Sequence, residues 1–139
     1  RDVRFETNLN QKISRIMTSE NLVTAIEGIT VEESKKILHK HRIEKLPVVD
    51  DEGNLVGMLS ELDCMKIALH AGYHGDWGGP VSDYMTTDTQ TVDAEMSIID
   101  LAQMFADKGY RRFPVTDKNR LVGQISRRDV LRALEVLAH

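Results

Sequence analysis

The side chains best suited to chemistry in this sequence form a short motif, Gly-x-x-Ser-x-x-Asp, that occurs twice. Its members are Gly57, Ser60 and Asp63 in the first copy and Gly123, Ser126 and Asp129 in the second. Each copy falls where an apolar run ends and a helical pattern begins. The start of a helix can receive an anion, because its first N–H groups lack intrahelical partners and carry partial positive charge. An aspartate in the first turn can accept hydrogen bonds from two ribose hydroxyls, so the motif predicts a nucleotide site.

Helix capping explains the same residues without a ligand. A serine before a helix and an acidic residue three positions later can satisfy each other's backbone N–H groups, which stabilises a helix by about 1 kcal/mol. Taken alone, the motif favours this simpler interpretation. Its recurrence in register with Thr24 and Thr91, and with two strands that contain Pro47 and Pro114, favours a ligand site.

The elements that must position these residues also occur twice. Met17-Thr18 recurs as Met85-Thr86, and Leu46-Pro47-Val48-Val49-Asp50 recurs as Phe113-Pro114-Val115-Thr116-Asp117. Several ordered matches of this kind indicate an internal repeat rather than chance. Each copy predicts strand, helix, strand, strand and helix. We therefore expect an α/β fold of two βαββα repeats packed about a pseudo-two-fold axis, with clefts where strand ends of one copy meet helix starts.

The boundaries of these elements follow from local signals. In the first repeat we predict a strand near 22–24, a helix from the capping box at 30–33 to about 41, a hairpin of strands 45–49 and 55–59, and a helix from 61. In the second repeat Ser97 caps a helix that Gly109 ends. We place repeat one with its lead-in at 1–71, a glycine-rich connector at 72–80 and repeat two at 81–139.

Composition narrows the classes of function. A chain of 139 residues is too short for a complete (β/α)₈ enzyme. The formal net charge of −4 argues against a nucleic-acid partner. No apolar run approaches the ~18 residues that cross a bilayer, and the single cysteine, Cys64, predicts a cytoplasmic protein. Because the first residue is not methionine, we expect a processed, truncated or engineered piece.

Catalytic and metal-binding patterns are absent from the sequence as we interpret it. Cys64 lies in a predicted helix without a catalytic signature around it. His70 and His74 have the spacing of metal ligands on a helix, with Asp76 close by, but Gly72 is expected to end the helix first. We predict a protein that is not an enzyme and needs no metal.

The ordered pair of repeats resembles a pair of cystathionine-β-synthase (CBS) domains, a Bateman module, over residues 13–137. The resemblance rests on the two Met-Thr pairs, the two proline strands and the two Gly-x-x-Ser-x-x-Asp ends. It implies a regulatory sensor of AMP, ADP or ATP that shifts conformation on binding, and a homodimer built as a flat disc of four repeats. The implied nucleotide contacts are Thr24, Pro47, Ser60 and Asp63 in one site, and Thr91, Arg112, Pro114, Ser126, Arg127 and Asp129 in the other.

The two halves resemble different relatives. Residues 1–59 are similar to the second CBS repeat of bacterial inosine monophosphate dehydrogenase, so that Arg1-Asp2 would end a preceding repeat. From Glu61 onward the chain is similar to a stand-alone bacterial CBS-pair protein. This contrast predicts a hybrid or engineered chain.

The two predicted sites differ in charge. Repeat two has arginines around its motif at 111, 112, 127 and 128, whereas Glu61 directly follows Ser60 in repeat one. We expect the second site to take the more highly phosphorylated ligand, since an acid near a phosphate repels it. A solvated basic face, or pairing with Asp117 and Glu135, would explain these arginines equally well.

The alternative function is a protein-interaction or dimerisation module that binds no nucleotide.

Overall fold

The computed structural model of the protein describes residues 10–71 and 79–137, with the backbone alone at 71 and 137. In chain order the elements are β1 (Ala25–Ile26), α1 (Val31–His41), β2 (Lys45–Val49), β3 (Leu55–Ser60), α2 (Glu61–Ala71), β4 (Val92–Asp93), α3 (Ile98–Lys108), β5 (Arg112–Asp117), β6 (Arg120–Ser126) and α4 (Arg127–Leu137). Single 3₁₀ turns at Ile13–Arg15 and Val81–Asp83 come before each set. The predicted α/β fold with two βαββα repeats is confirmed.

Helix boundaries follow the capping residues. The Thr30 hydroxyl accepts a hydrogen bond from the Glu33 N–H at 3.1 Å, and the Ser97 hydroxyl accepts one from the Asp100 N–H at 3.2 Å. Gly109 ends α3 in the left-handed conformation with φ of 69°. These predicted ends are confirmed because capping depends on residues that are neighbours in sequence.

The first strand lies later than the sequence predicted. The apolar and β-branched run at 22–24 indicated a strand there, but β1 is Ala25–Ile26. Its start is decided by the parallel partner, since Ala25 pairs with Val48 and Ile26 with Val49. Residue type alone does not show where such a short pairing begins.

Two similar three-stranded sheets result. In the first, β2 lies between β1, which is parallel to it, and β3, which is antiparallel. The second sheet repeats this order with β4, β5 and β6. The loop between β2 and β3 is the predicted hairpin turn. In it Asp50 accepts hydrogen bonds from the backbone and side-chain N–H groups of Asn54, which lower the pKa of Asp50.

Each sheet is completed by residues that precede the other repeat in sequence. Thr86 and Met58 exchange backbone hydrogen bonds of 2.8 and 2.9 Å, and Thr18 and Gln124 exchange two of 2.9 Å. The chain accordingly divides into two compact units. The repeat-one unit is Val23–Thr89, and the repeat-two unit joins the described residues up to Leu22 with those from Gln90. These units do not follow the sequence repeats, and the boundaries 1–71 and 81–139 remain predictions.

Each unit has its own hydrophobic core. We call residues 13–18 and 81–86, which precede repeat one and repeat two, the lead-ins, and each contributes to the core of the unit that holds the other repeat. The repeat-two core contains Ile13, which is fully buried with helix and strand residues such as Leu101 and Phe113. The repeat-one core contains Val81, fully buried beside Leu46 and Leu59. Burying a valine or isoleucine side chain contributes about 1.5–3 kcal/mol, so each lead-in stabilises the unit of the other repeat.

The glycine of each motif packs against the lead-in of the other repeat. A methyl group at Gly57 would lie 2.5 Å from Met85 Sδ and 2.9 Å from the Thr86 carbonyl oxygen. A methyl group at Gly123 would lie 2.7 Å from Met17 Sδ and 2.8 Å from the Thr18 carbonyl oxygen. The Met-Thr pairs and the motif glycines therefore recur together because they pack against each other.

A left-handed arginine at the end of α1 provides a stability test. Arg42 has φ of 53°, where the equivalent residue in repeat two is Gly109. A side chain in this region costs roughly 1 kcal/mol. We expect Arg42→Gly to raise the free energy of unfolding, measured by urea titration, by up to about 1 kcal/mol. The gain from relieved backbone strain is partly offset because glycine increases the conformational entropy of the unfolded chain. Gly109→Arg should lower the free energy of unfolding by about 1 kcal/mol. If both substitutions changed it in the same direction, the left-handed backbone conformation would not be the cause.

Candidate functional site

The Ser and Asp of each motif form reciprocal hydrogen bonds at a helix start. In the repeat-one unit the Ser60 N–H donates to Asp63 Oδ2 at 2.9 Å, and the Asp63 N–H donates to Ser60 Oγ at 3.0 Å. In the repeat-two unit the same bonds join Ser126 and Asp129 at 2.9 and 3.1 Å. The capping interpretation is therefore correct as geometry, and any ligand role of these residues is additional to it.

This capping limits what the helix starts offer to an anion. The N–H of Glu61, the first residue of α2, donates to the Glu44 carbonyl at 2.9 Å, and the Arg127 N–H donates to the Arg111 carbonyl at 2.9 Å. Together with the capped Asp63 and Asp129, two of the first three N–H groups of each helix are already hydrogen-bonded. At most one remains, so anion recognition here must come mainly from charged side chains.

The two aspartates keep part of their capacity to accept hydrogen bonds. Each is half-buried, and among residues 10–71 and 79–137 the capping bond is the one hydrogen bond that each carboxylate accepts. An ionised carboxylate has about four acceptor positions on two oxygens. Each aspartate can therefore accept a ligand hydroxyl while it caps its helix.

In the repeat-one unit the predicted strand residues share one face of the sheet. Alternation along β2 places Pro47 on the face opposite the buried Leu46 and Val48. Pro47 pairs with Met58, and Lys45 pairs with Ser60. Thr24 directly precedes Ala25, which pairs with Val48, so it lies level with Pro47 on the same face. We call this set, Thr24, Lys45, Pro47, Met58 and Ser60, the repeat-one face.

The repeat-two unit has the equivalent face. Pro114 pairs with Gln124, and Arg112 pairs with Ser126, the residue at the start of α4. Thr91 directly precedes Val92, which pairs with Val115, and so it lies level with Pro114. We call Thr91, Arg112, Pro114, Gln124 and Ser126 the repeat-two face. Arg127 is the exposed first residue of α4, next to Ser126.

Sequence reasoning missed three residues of these faces. Lys45 is the repeat-one equivalent of Arg112, because each directly precedes one of the matching runs Leu46-Pro47 and Phe113-Pro114, and aligning the repeats would have found it. Met58 and Gln124 are the strand partners of the two prolines. Nothing in their residue types indicates this position, because strand register links residues that are distant in sequence.

The charge contrast between the faces is larger than the sequence indicated. The backbone bonds from Glu61 to Glu44 and from Arg127 to Arg111 place like-charged residues side by side at equivalent positions. The repeat-one helix start thus combines three carboxylates with Lys45. The repeat-two helix start combines four guanidinium groups, at 111, 112, 127 and 128, with the carboxylate of Asp129.

Pairing of these arginines with acids does not explain them. Within the part of the chain that the structure describes, ion pairs join Lys12 to Glu95 and Lys35 to Glu32. Among the ion pairs of these described residues, none joins an arginine of the repeat-two helix start to Asp117 or Glu135. All four arginines are exposed, so a solvated basic surface and a phosphate-binding surface both remain consistent with their positions.

Other candidate chemistry is limited. Cys64 is buried in the repeat-one core, and burial, followed by the nearby Asp63 charge, raises the pKa of its thiol. It is therefore a poor nucleophile at neutral pH. The described residues contain no group of three His, Cys, Asp or Glu placed to hold a metal ion. His74 and Asp76 lie outside the described residues. The helices described are too short and too polar to cross a bilayer.

Comparison with known proteins identifies the repeats. The sequence profile of the CBS domain matches residues 13–70 and 81–136. The chain belongs to the CBS-domain family. CBS domain pairs are regulatory modules rather than catalytic ones.

Curated relatives of this CBS pair include much longer enzymes. It is 39% identical to inosine-5'-monophosphate dehydrogenase of Bacillus subtilis in an alignment of 108 residues, and the match covers 71% of this chain and 22% of that enzyme. It is 52% identical over 67 residues to the enzyme of Streptococcus pyogenes, which is 48% of this chain and 14% of that enzyme. The chain thus spans about a fifth or less of these relatives. The predicted similarity to their CBS region is confirmed.

Solved CBS pairs with bound ligands have the same fold. CBSX2 in complex with AMP is 27% identical with a TM-score of 0.75, covering 93% of this chain and 99% of that chain. The CBS domain pair of protein MJ0100, in complex with 5'-methylthioadenosine and S-adenosyl-L-methionine, is 29% identical with a TM-score of 0.66, covering 91% and 97%. The ligands in these two complexes all contain adenosine.

Proposed function

We propose that the chain is a regulatory module that binds an adenine nucleotide, AMP, ADP or ATP, and acts through a ligand-dependent change of conformation without catalysis. The observation that carries this proposal is the repeated placement of a threonine, a proline, a basic residue and a serine on one sheet face, beside a half-buried aspartate. The adenosine-containing ligands of two similar structures support it.

The chemistry of each face suits a different part of a nucleotide. The apolar surfaces of Pro47 and Met58, both half-buried, can pack against adenine, whereas Pro114 is buried and can contact adenine only after the atoms that cover it move. The free acceptor positions of Asp63 or Asp129 can bind ribose hydroxyls. Thr24 or Thr91, level with the proline, can hydrogen-bond the base or sugar. Lys45 or Arg112, paired with the serine at the helix start, can bind a phosphate.

A conformational shift of useful size follows from ordinary affinity. Ligand at 100 times its Kd stabilises the bound state by about 2.7 kcal/mol. If the ligand binds only one conformation, the same free energy changes a two-state population by roughly a hundredfold. No covalent step is needed for regulation of this kind.

The two faces are proposed to select different phosphate charge. The four arginines at the repeat-two helix start favour ADP or ATP over AMP, because each added phosphate charge gains attraction. The carboxylates of Glu44 and Glu61 at the repeat-one helix start repel the same charge, which leaves AMP or an uncharged adenosine derivative as the favoured ligand there.

Calorimetric titration with AMP, ADP and ATP tests both the binding of an adenine nucleotide and its selection by phosphate charge. We expect the wild type to bind ATP more tightly than AMP by about tenfold or more. The preference should shrink at high salt, because exposed charges are screened. Arg111→Glu with Arg127→Glu installs the charges of the repeat-one helix start and should remove the ATP preference. Binding of no adenine nucleotide would overturn the proposed function, whereas binding without a preference would overturn only the charge assignment.

The second candidate function is protein interaction through dimerisation. Exposed apolar side chains on α2, at Leu62, Met65 and Leu69, favour it. We propose that the chain forms a homodimer, with or without nucleotide, in the cytoplasm.

That the two halves of the chain derive from two different proteins also remains a prediction.

A further inference from the structure

The methionine of each lead-in places its sulfur atom against the backbone of a buried glycine. A Cβ added to Gly57 would lie 2.5 Å from Met85 Sδ, and a Cβ added to Gly123 would lie 2.7 Å from Met17 Sδ. Both glycines are buried, whereas both methionines are partly exposed. Each methionine therefore covers a stretch of strand backbone that has no side chain of its own, and it remains accessible to small solutes.

The attachment beside each methionine is short. Thr86, the residue after Met85, forms an isolated bridge with Met58 through hydrogen bonds of 2.8 and 2.9 Å. Thr18, the residue after Met17, forms the same bridge with Gln124 through two hydrogen bonds of 2.9 Å. An isolated bridge is not held in place by neighbouring pairs of a ladder, so it depends on the packing of the side chains next to it.

We propose that Met17 and Met85 are sites of oxidation by hydrogen peroxide, and that the sulfoxide releases the Met-Thr end of each lead-in from the sheet that it completes. One oxygen of the peroxide forms a bond to Sδ as the O–O bond breaks. The sulfur gives up two electrons, and the other oxygen takes the proton of the transferred oxygen and leaves as water. This modification site is separate from the proposed nucleotide sites.

The surroundings of Met85 do not accommodate a sulfoxide. Met85 Sδ and the Thr86 carbonyl oxygen lie 2.5 and 2.9 Å from the same point next to Gly57. An oxygen added to the sulfur on this side would approach the carbonyl oxygen, and both are hydrogen-bond acceptors without a donor between them. If the new oxygen turns to water instead, the side chain moves with it and uncovers Gly57.

The same conflict arises in the repeat-two unit. Met17 Sδ and the Thr18 carbonyl oxygen lie 2.7 and 2.8 Å from the equivalent point next to Gly123. The first part of each lead-in is anchored elsewhere, because Ile13 and Val81 are fully buried in the two cores. Oxidation should therefore free the ends of the lead-ins, at residues 17–18 and 85–86, without unfolding either unit.

The other methionines have different surroundings and provide controls. Met65 is 54% exposed on α2, so its sulfoxide would stay in water. Met104 packs from α3 against the edge of the repeat-two core, away from the bridge between Thr18 and Gln124 in sequence and in pairing. Oxidation of Met65 or Met104 should therefore leave the bridges of both lead-ins intact.

Hydrogen exchange of the full chain, measured by mass spectrometry before and after hydrogen peroxide, tests this site. In the wild type we expect peroxide to raise the exchange rate in segments 13–18 and 81–86 at least about tenfold, with α1 and α3 unchanged. Met17→Leu with Met85→Leu should abolish this response, because no sulfur remains in the lead-ins. The matched control, Met65→Leu with Met104→Leu, should keep it. Each variant is compared with its own untreated sample, so that any effect of leucine on stability cancels.

Two further measurements address the sulfoxide itself. Methionine sulfoxide reductase should restore slow exchange in the oxidised wild type. Met85→Gln introduces a polar side chain without peroxide and should speed exchange in 81–86 while leaving 13–18 unchanged. An equal response to peroxide in the two double variants would overturn the proposal. So would Met17 and Met85 that stay unoxidised, by peptide mapping, in wild type whose Met65 is fully oxidised.

Discussion

Gly57→Ala is expected to lower the free energy of unfolding by about 2 to 3 kcal/mol, although it adds a single methyl group. The new Cβ would lie 2.5 Å from Met85 Sδ and 2.9 Å from the Thr86 carbonyl oxygen. The methionine side chain can move, but the carbonyl is held by its hydrogen bond from the Met58 N–H at 2.9 Å. Relief of the overlap would therefore break the pairing that attaches the lead-in to β3. Urea titration followed by far-UV circular dichroism measures the loss.

Matched glycine variants separate this effect from any general cost of replacing glycine. Gly123→Ala meets Met17 and the Thr18 carbonyl in the same way and should cost about as much. Gly28→Ala has no atom within 4 Å of the new Cβ and should be neutral or stabilise by up to about 1 kcal/mol. Met85→Ala should recover only part of the Gly57→Ala loss, since it leaves the Thr86 carbonyl in place. If Gly28→Ala and Gly57→Ala lowered the free energy of unfolding equally, contact with Met85 and Thr86 would not be the cause.

Asp129→Ala is expected to abolish the stabilisation that ATP gives the wild type. That stabilisation is about 2.7 kcal/mol at 100 times the Kd, so the loss is far larger than experimental error. The physical reason is that Asp129 supplies the proposed acceptors for ribose, at the helix start with four arginines. Without ligand the variant should lose only about 1 kcal/mol, the value of the capping bond from the Ser126 N–H. Differential scanning fluorimetry with and without ATP measures both quantities.

Two variants control for the capping role of this aspartate. Ser97→Ala removes a cap of similar strength from α3, a helix that contributes no residue to either face, and should lower stability while preserving the ATP shift. Asp63→Ala removes the matching carboxylate of the repeat-one unit and should also preserve it, because ATP is assigned to the repeat-two face. An ATP shift that survives in Asp129→Ala would remove this residue from the site. An ATP shift that is lost equally in Ser97→Ala would indicate that it reports stability rather than binding.

The sequence predicted local structure well where the cause is local. The cap at Thr30, the cap at Ser97 and the stop at Gly109 depend on residues within one helical turn, and the structure has all three. The reciprocal bonds of Ser60 with Asp63 are local in the same sense. The start of β1 was wrong by a few residues because it is decided by Val48, which lies more than twenty positions away along the chain.

Prediction of the candidate site was uneven for a related reason. Motif reasoning found the serines, aspartates and prolines, since the serines and aspartates recur 66 residues apart and the prolines 67 residues apart. It missed Met58 and Gln124, which differ in type between the repeats and gain their position only from pairing with the prolines. It did not show that the first N–H group of each helix is already hydrogen-bonded, because the carbonyls of Glu44 and Arg111 that accept these bonds come from a neighbouring segment.

The amino-acid sequence by itself determined the repeated βαββα order, the capped helix starts and the uneven charge of the two motifs, because each depends on residue type and short spacing. Only the tertiary structure decided that Met17-Thr18 completes the sheet of repeat two and Met85-Thr86 that of repeat one. Pairing between distant strands depends on which backbone groups meet in three dimensions. A repeat in sequence is equally compatible with a lead-in that folds onto its own repeat or onto the other.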